Sequence, residues 1–185
     1  MKHNRWIECL LFVAIVANLV SCSAPAAATP VSTPVAASAT SFSDPFAYCT
    51  AAGTIDTPDA RYVGPKVPDG VAKALQKATG AAPYAPLNIF QNSYWRCMNG
   101  KVYGCFVGAN LPCTAKADLS RTPTTEETDF CKANPNADVV PAVVTGRETV
   151  YEWRCANGSP EPVRQVFQPD ARGFLSAIWY ELAPQ

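Results

Sequence analysis

Three kinds of hydrophobic patterning follow one another along this chain, and each predicts a different structure. Residues 9 to 20 (CLLFVAIVANLV) are apolar apart from Asn18 and follow a positive stretch holding Lys2 and Arg5, the pattern of a secretory leader. About a dozen apolar residues fall short of the roughly 20 that cross a bilayer, so the pattern favours a cleaved leader over a spanning helix. Residues 23 to 41 hold only Ala, Pro, Ser, Thr and Val, which cannot build a core and predict a semi-extended tether. At ~3.1 Å per residue such a tether reaches up to roughly 50–60 Å. From Phe42 onward the pattern becomes that of a folded domain.

Within that domain the period is helical first. Asp44-Pro45 before FAYCTAA, with Gly53 behind, predicts a helix over 45–52 that carries Cys49. Pro68-Asp69 opens a second helix, with Val71, Ala74, Leu75 and Ala78 along one face and Gly80 at its end. Residues 55–68 and 81–88 are rich in loop formers. From Ile89 the period becomes two, and strands over 94–98 and 101–107 flank Asn99-Gly100, the signature of a type I′ hairpin turn. Thr122-Pro123 starts a third helix, with Thr124 and Glu127 spaced as a capping box and Asn134-Pro135 as the stop.

The last third predicts an antiparallel meander: 148–155, a turn at Asn157-Gly158, 163–168, a turn at 170–173, and 175–182. Alternation over 148–155 puts Thr149, Tyr151, Trp153 and Cys155 on one face and Glu148, Val150, Glu152 and Arg154 on the other. Asp170 with Arg172 organises its turn. Helices first and strands last predict a small disulfide-stapled α+β domain, two or three short helices with an antiparallel sheet of hairpins.

One hexapeptide occurs twice, WRCMNG at 95–100 and WRCANG at 153–158. In a strand the Trp and Cys share a face and the Arg points the other way, which predicts two similar corners with Trp over a disulfide inside and Arg96 or Arg154 outside. The two tryptophans read first as core. The competing reading makes Trp95 and Trp153 stacking platforms for a ligand such as a sugar ring.

Leu19-Val20-Ser21-Cys22, at the end of the apolar run, resembles the lipobox of bacterial lipoproteins. The resemblance implies cleavage before Cys22, acyl chains on its thioether and amine, and anchoring on the non-cytoplasmic side of an envelope membrane. Where the cell has an outer membrane, Ser23 favours it. The expected organisation is a signal peptide over 1–21, the lipidated cysteine and tether over 22–41, and a single globular domain over 42–185. Tyr94 to Gly100 is also similar to the Tyr-x-Cys-x-x-Gly strand-turn of membrane-bound lysozyme inhibitors, with one extra residue between Tyr and Cys. That likeness covers less than a tenth of the domain and carries over no inhibitory residue; it illustrates a binding class.

The leader also changes the chemistry left to the domain. Cys9 leaves with it and Cys22 takes lipid, so Cys49, Cys97, Cys105, Cys113, Cys131 and Cys155 remain, an even set that reads as three disulfides with fifteen connectivities open. There is no CxxC spacing to suggest a redox or zinc site. The only histidine, His3, is lost as well, which excludes a Ser-His-Asp or Cys-His nucleophile and any imidazole zinc site. Fifteen basic residues balance fifteen acidic ones, and nothing resembles a nucleic-acid footprint.

Carboxylates are the remaining route to catalysis. Glu148 and Glu152 lie ~13 Å apart along a strand, too far for a glycosidase pair. Glu126, Glu127 and Asp129 crowd a helix start, where they complement its dipole. Asp56 and Asp59 lack the dense spacing of a calcium loop. The expected function is therefore an envelope-anchored binding or structural module without cofactor or metal. Its partners are the membrane, through the lipid, and an envelope protein or glycan. The alternative is a carboxylate-dependent hydrolase of envelope glycans.

Overall fold

The computed structural model describes residues 40–108 and 110–185; the expected leader, Cys22 with its expected lipidation, and nearly all of the expected tether lie outside the described residues. The domain is α+β, with four α-helices, two 3₁₀ turns and five strands in two antiparallel sheets among the described residues.

Helix α1 (Pro45–Ala52) forms where its end signals place it: Asp44 Oδ1 accepts from the amides of Phe46 at 2.6 Å and Ala47 at 3.0 Å, and Gly53 ends it at φ 75°. It buries Tyr48 and Cys49. Helix α2 (Asp69–Ala78) buries Val71, Ala72, Ala74 and Leu75. The predicted stripe is corrected at its end, because burial stops a turn early and Ala78 is exposed while Ala72 is covered. A 3₁₀ turn over Leu87–Asn92, in a stretch that read as loop and strand, buries Phe90.

Strands β1 (Tyr94–Met98) and β2 (Lys101–Cys105) form the expected hairpin, with Asn99 at φ 53° and Gly100 at φ 77° as a type I′ turn requires. β2 stops at Cys105 rather than Val107. Its other edge pairs with the last strand, β5 (Tyr180–Leu182), so the sheet order is β1-β2-β5. Gly104 sits where a Cβ would lie 2.9 Å from Leu182 Cδ1 and 3.2 Å from Leu75 Cδ1, so only glycine lets α2 and β5 close on this sheet.

Helix α3 (Thr125–Ala133) carries both arms of its capping box: Thr124 Oγ1 accepts from Glu127 N at 3.1 Å, and Thr124 N donates to Glu127 Oε2 at 2.7 Å. A single-turn helix α4 (Ala142–Thr145) follows Pro141. Strands β3 (Tyr151–Ala156) and β4 (Ser159–Gln165) make a separate ribbon around Asn157-Gly158. The predicted meander is therefore corrected, since β5 returns to the first hairpin rather than to β4. Pro160 and Pro162, opposite Cys155 and Trp153, stand at alternate positions and remove donors from one edge of β4, which makes it a poor template for a further strand.

The 148–155 alternation also needs correction at Val150, which is fully buried. Val150 lies before β3, its amide donates to Asp118 O at 3.0 Å, and its carbonyl accepts from Val166 N and Phe167 N. A register shift between Glu152 and Trp153 separates it from the strand's own alternation.

Three disulfides staple three small cores. Cys49–Cys97 ties α1 to β1 beside Tyr48, Leu75, Trp95 and Val102. Cys105–Cys113 ties β2 to the following loop beside Val150, Phe174, Leu175 and Trp179. Cys131–Cys155 ties α3 to β3 beside Val140 and Trp153. Each core alone is small, and a bridge contributes ~2–4 kcal/mol, mainly by restricting the unfolded chain. No helix among the described residues is long and apolar enough to cross a membrane.

Candidate functional site

Strand β1 places its side chains alternately against two different cores. Trp95 and Cys97 face the first, where Trp95 packs edge-to-face on Tyr62 at 4.8 Å and Tyr48 at 6.0 Å, and its Nε1 donates to Lys66 O at 2.7 Å. Arg96 faces the second. The expectation that both repeat arginines point outward holds for Arg154, which is exposed beside Glu161 at 3.1 Å, and fails for Arg96, whose side chain is fully buried. The chain over 170–179 folds across that face of β1, and the alternation of one strand carries no information about what a distant segment covers.

Arg96 is held by charge and by aromatic faces. Its Nη2 donates to Asp170 Oδ2, and its guanidinium lies 4.2 Å from the Trp179 ring centroid and 4.4 Å from that of Phe174. Asp170 also organises its turn as expected, its Oδ1 accepting from Arg172 N at 2.8 Å and Phe174 N at 3.2 Å. Burial pushes the Asp170 carboxyl up, but the bonds from Arg96 and from these two amides outweigh it and hold the group below the usual carboxylate range.

Between the first and second cores opens a cleft of about 200 Å³, walled by Tyr94, Trp95, Phe174 and Trp179, with Ser93 and Lys66 beside them. Its mouth is strapped by one carboxylate. Asp56 accepts from Lys116 Nζ at 2.9 Å and from Arg172 Nε at 2.9 Å, joining the loop after α1 to the loop after Cys113 and to the turn before Phe174. The Arg172 guanidinium, opposed by partial burial and helped by Lys116, lowers the Asp56 carboxyl from 3.8 to about 2. Lys116 Nζ also donates to Arg172 O at 2.7 Å and lies over the Phe174 ring. Lys66 stands over the Tyr94 ring at 5.4 Å. The Cys105–Cys113 bridge fixes Cys113 in the cleft wall.

This cleft concentrates unmet hydrogen-bonding capacity. Among the described residues, the buried side-chain polar atoms without a partner are Ser93 Oγ, Trp179 Nε1, and Nε and Nη1 of Arg96. Ser93 and Trp179 line the cleft, and Arg96 lies against the two rings that form its wall. An unsatisfied buried polar group costs about 1–3 kcal/mol, so a cluster of them at one concave place marks that place for function.

The two repeat tryptophans are not brought together. Trp95 belongs to the first core and borders the cleft, whereas Trp153 belongs to the third. Both are buried, with 4% and 3% of their surface exposed, and neither presents an open stacking face. Trp153 borders a second, more open groove of about 310 Å³ with Leu111, Val140, Tyr151, Val166 and Phe167. There the indole is already spent, Nε1 donating to Thr149 Oγ1 at 3.4 Å, and no unpartnered buried polar atom lies in the lining.

Most of the acidic candidates are likewise committed, Glu126 and Glu148 excepted. Asp59 pairs with Arg61 at 2.7 Å, Asp129 with Lys132 at 2.9 Å, and Glu152 with Arg164 at 2.8 Å, while Glu127 closes its capping box. No group of three or more His, Cys, Asp or Glu able to hold a metal occurs among the described residues. Ser93, Arg96 and Trp179 were missed as site residues from sequence. Strand alternation puts Trp179 and its neighbour Tyr180 on opposite faces without saying which is covered, and the structure buries Trp179 while leaving Tyr180 half-buried. Comparison with protein-family models, with curated proteins and with solved structures finds no match for this chain.

Proposed function

We propose that this chain is an envelope-anchored lipoprotein whose domain from residue 42 is a binding module, with the cleft between Tyr94, Trp95, Phe174 and Trp179 as its binding site. The observation that carries the reading is that two residues lining one aromatic cleft, Ser93 and Trp179, hold buried unpartnered polar atoms, with the half-partnered Arg96 guanidinium packed against two of its rings. The anchor is read from the lipobox resemblance alone: Cys22 carries the acyl chains, and residues 22–41 hold the domain off the membrane surface.

The hydrolase reading draws less support from the same place. A glycosidase needs one carboxyl kept protonated near neutral pH and a second free to act as base or nucleophile. Asp56 is the carboxylate that lines the cleft, and it is held well below that range by two cations, which makes it both a poor acid and a weak base. No histidine remains after cleavage of the leader to take its place.

The test uses the full-length protein in its native envelope, with a photoreactive amino acid in place of Tyr94, which is 37% exposed at the cleft. Irradiation should give a discrete adduct that a photoreactive residue at exposed Val143, outside the cleft, does not give. Turnover of purified envelope glycan by the protein, with no adduct from position 94, would overturn the binding reading. Mass analysis of the N-terminal peptide should find an acylated Cys22; an unmodified Met1 terminus would remove the anchor.

A further inference from the structure

The charge and hydrogen-bonding balance of the cleft restricts what it can hold. The unpartnered buried atoms on lining residues are Trp179 Nε1, an N–H donor, and Ser93 Oγ, a hydroxyl that can also donate; the remaining two, Nε and Nη1, belong to Arg96 behind the Phe174 and Trp179 rings. Lys66 and Asp56 line the cleft; around it stand three further cations, Arg96 against the Phe174 and Trp179 rings and Lys116 and Arg172 on Asp56, and one further carboxylate, Asp170 on Arg96. Both carboxylates are already bonded to these cations. Lys66 differs from the others in having no ion-pair partner among the described residues, and it stands at the mouth over the exposed edge of Tyr94.

An occupant must therefore supply acceptors and negative charge, while its body meets aromatic walls in a space of about 200 Å³, the size of one ring. Phosphate suits the site poorly, because it favours backbone-amide nests and helix N-termini, and the walls here are rings. A carboxylate on a compact apolar or ring body satisfies all three conditions. We propose that the cleft binds a small ring-bearing carboxylate, with its oxygens toward Trp179 Nε1 and Ser93 Oγ, its charge met by Lys66, and its ring between Tyr94 and Phe174. The proposal rests on the reading of the cleft as the binding site and adds the chemical class of the ligand.

The experiment is a titration of the full-length, detergent-solubilised protein with intact disulfides, followed by tryptophan fluorescence and calorimetry. The probes are benzoate, N-acetylmuramic acid, N-acetylglucosamine and inorganic phosphate. The first two separate a free organic acid from a carboxylated sugar; N-acetylglucosamine offers a closely similar ring without the carboxylate. At least one carboxylate should bind saturably, about tenfold or more tighter than N-acetylglucosamine, and more weakly as salt rises. Trp179→Phe, which keeps a ring and deletes the donor, and Lys66→Ala should each weaken that binding about tenfold, with unfolding midpoints confirming that both variants fold.

Equal binding of the uncharged sugar, tighter binding of phosphate, or carboxylate binding unaffected by both substitutions would overturn the proposal. So would the absence of binding by either carboxylate. In that last case a Tyr94 photoadduct would leave the binding site standing and remove only the ligand class.

Discussion

The two WRC-x-NG hairpins share more in space than in sequence, and differ where the fold makes use of them. In each, the hexapeptide cysteine bonds to a helix cysteine: Cys97 to Cys49 of α1, and Cys155 to Cys131 of α3. Six residues beyond each helix cysteine the chain meets the strand again, Cys97 N donating to Ile55 O at 3.0 Å and Cys155 N to Ala137 O at 2.8 Å. Four residues beyond it, the turn glycine closes the corner, Gly100 N donating to Gly53 O at 2.8 Å and Gly158 N to Pro135 O at 2.9 Å. The unit is a helix, a staple and a hairpin. What differs is the outer face of the strand, covered by Phe174 and Trp179 in the first unit and solvated in the second. The same arginine is thus a buried, half-satisfied cation at a cleft in one unit and a surface charge in the other.

The arginines are the hardest test of that contrast. Arg96→Ala leaves Asp170 buried without its cation, and removing one partner of a buried pair costs about 3–5 kcal/mol. Arg154→Ala touches an exposed pair with Glu161 and should cost no more than about 0.5 kcal/mol. Urea unfolding of the two variants with disulfides intact reads the difference directly. Equal costs would mean that the cover over Arg96 contributes nothing.

Next in size are the staples. Replacing Cys49 and Cys97 together, or Cys131 and Cys155 together, with alanine should cost ~2–4 kcal/mol each. The first pair closes a loop of 48 residues and the second one of 24, so loop entropy alone makes the first about 0.6 kcal/mol more costly. A larger excess for Cys49–Cys97 would show that the first core depends on its bridge for packing as well. Calorimetric melting of the two double variants provides the measurement.

Much of this contrast was legible in the sequence at the level of elements and little at the level of the site. Asp44-Pro45, the Thr124–Glu127 box and two Asn-Gly pairs placed two helices and two turns, because caps and positive-φ turns are decided by residues within reach of one another. The count of six cysteines stated that bridges form, but the pairing depends on which helix meets which hairpin. The site escaped for the same reason. Arg96 and Asp170 are separated by 74 residues, and the segment that covers Arg96 follows the second hairpin in the chain. β5 pairs with the first sheet rather than with β4, whose outer edge carries Pro160 and Pro162, and that return places Trp179 at the cleft.

The strap across the cleft makes the first unit acid-sensitive. The Asp56 carboxyl is lowered from 3.8 to about 2, and the Asp170 carboxyl is lowered as well, so the unfolded chain binds more protons in that window. Stability from both groups is fully present well above the unfolded carboxyl value of 3.8 and is lost as pH falls from there through their folded-state values. For Asp56, partly exposed, the loss should be about 1–2 kcal/mol after solvent screening. Arg172→Ala removes the main cause of the lowered value, so it should lower stability at neutral pH and flatten the acid limb, the variant and the parent converging once pH falls below the folded-state value. An acid limb unchanged in that variant would show that the strap is not closed in solution.

The smallest effect should be the one the two units share. Gly100 and Gly158 sit at φ 77° and 81°, and a Cβ at either meets nothing closer than 3.9 Å. Alanine there is strained by its backbone alone, at about 1 kcal/mol. Because turn geometry is local, Gly100→Ala and Gly158→Ala should cost the same within a few tenths of a kcal/mol, although one hairpin is covered and the other solvated. Chemical denaturation of the pair would decide it. A markedly higher cost at Gly100 would mean that cover by Phe174 and Trp179 stiffens the first hairpin as far as its turn, and that burial of Arg96 is coupled to the hairpin rather than laid over it.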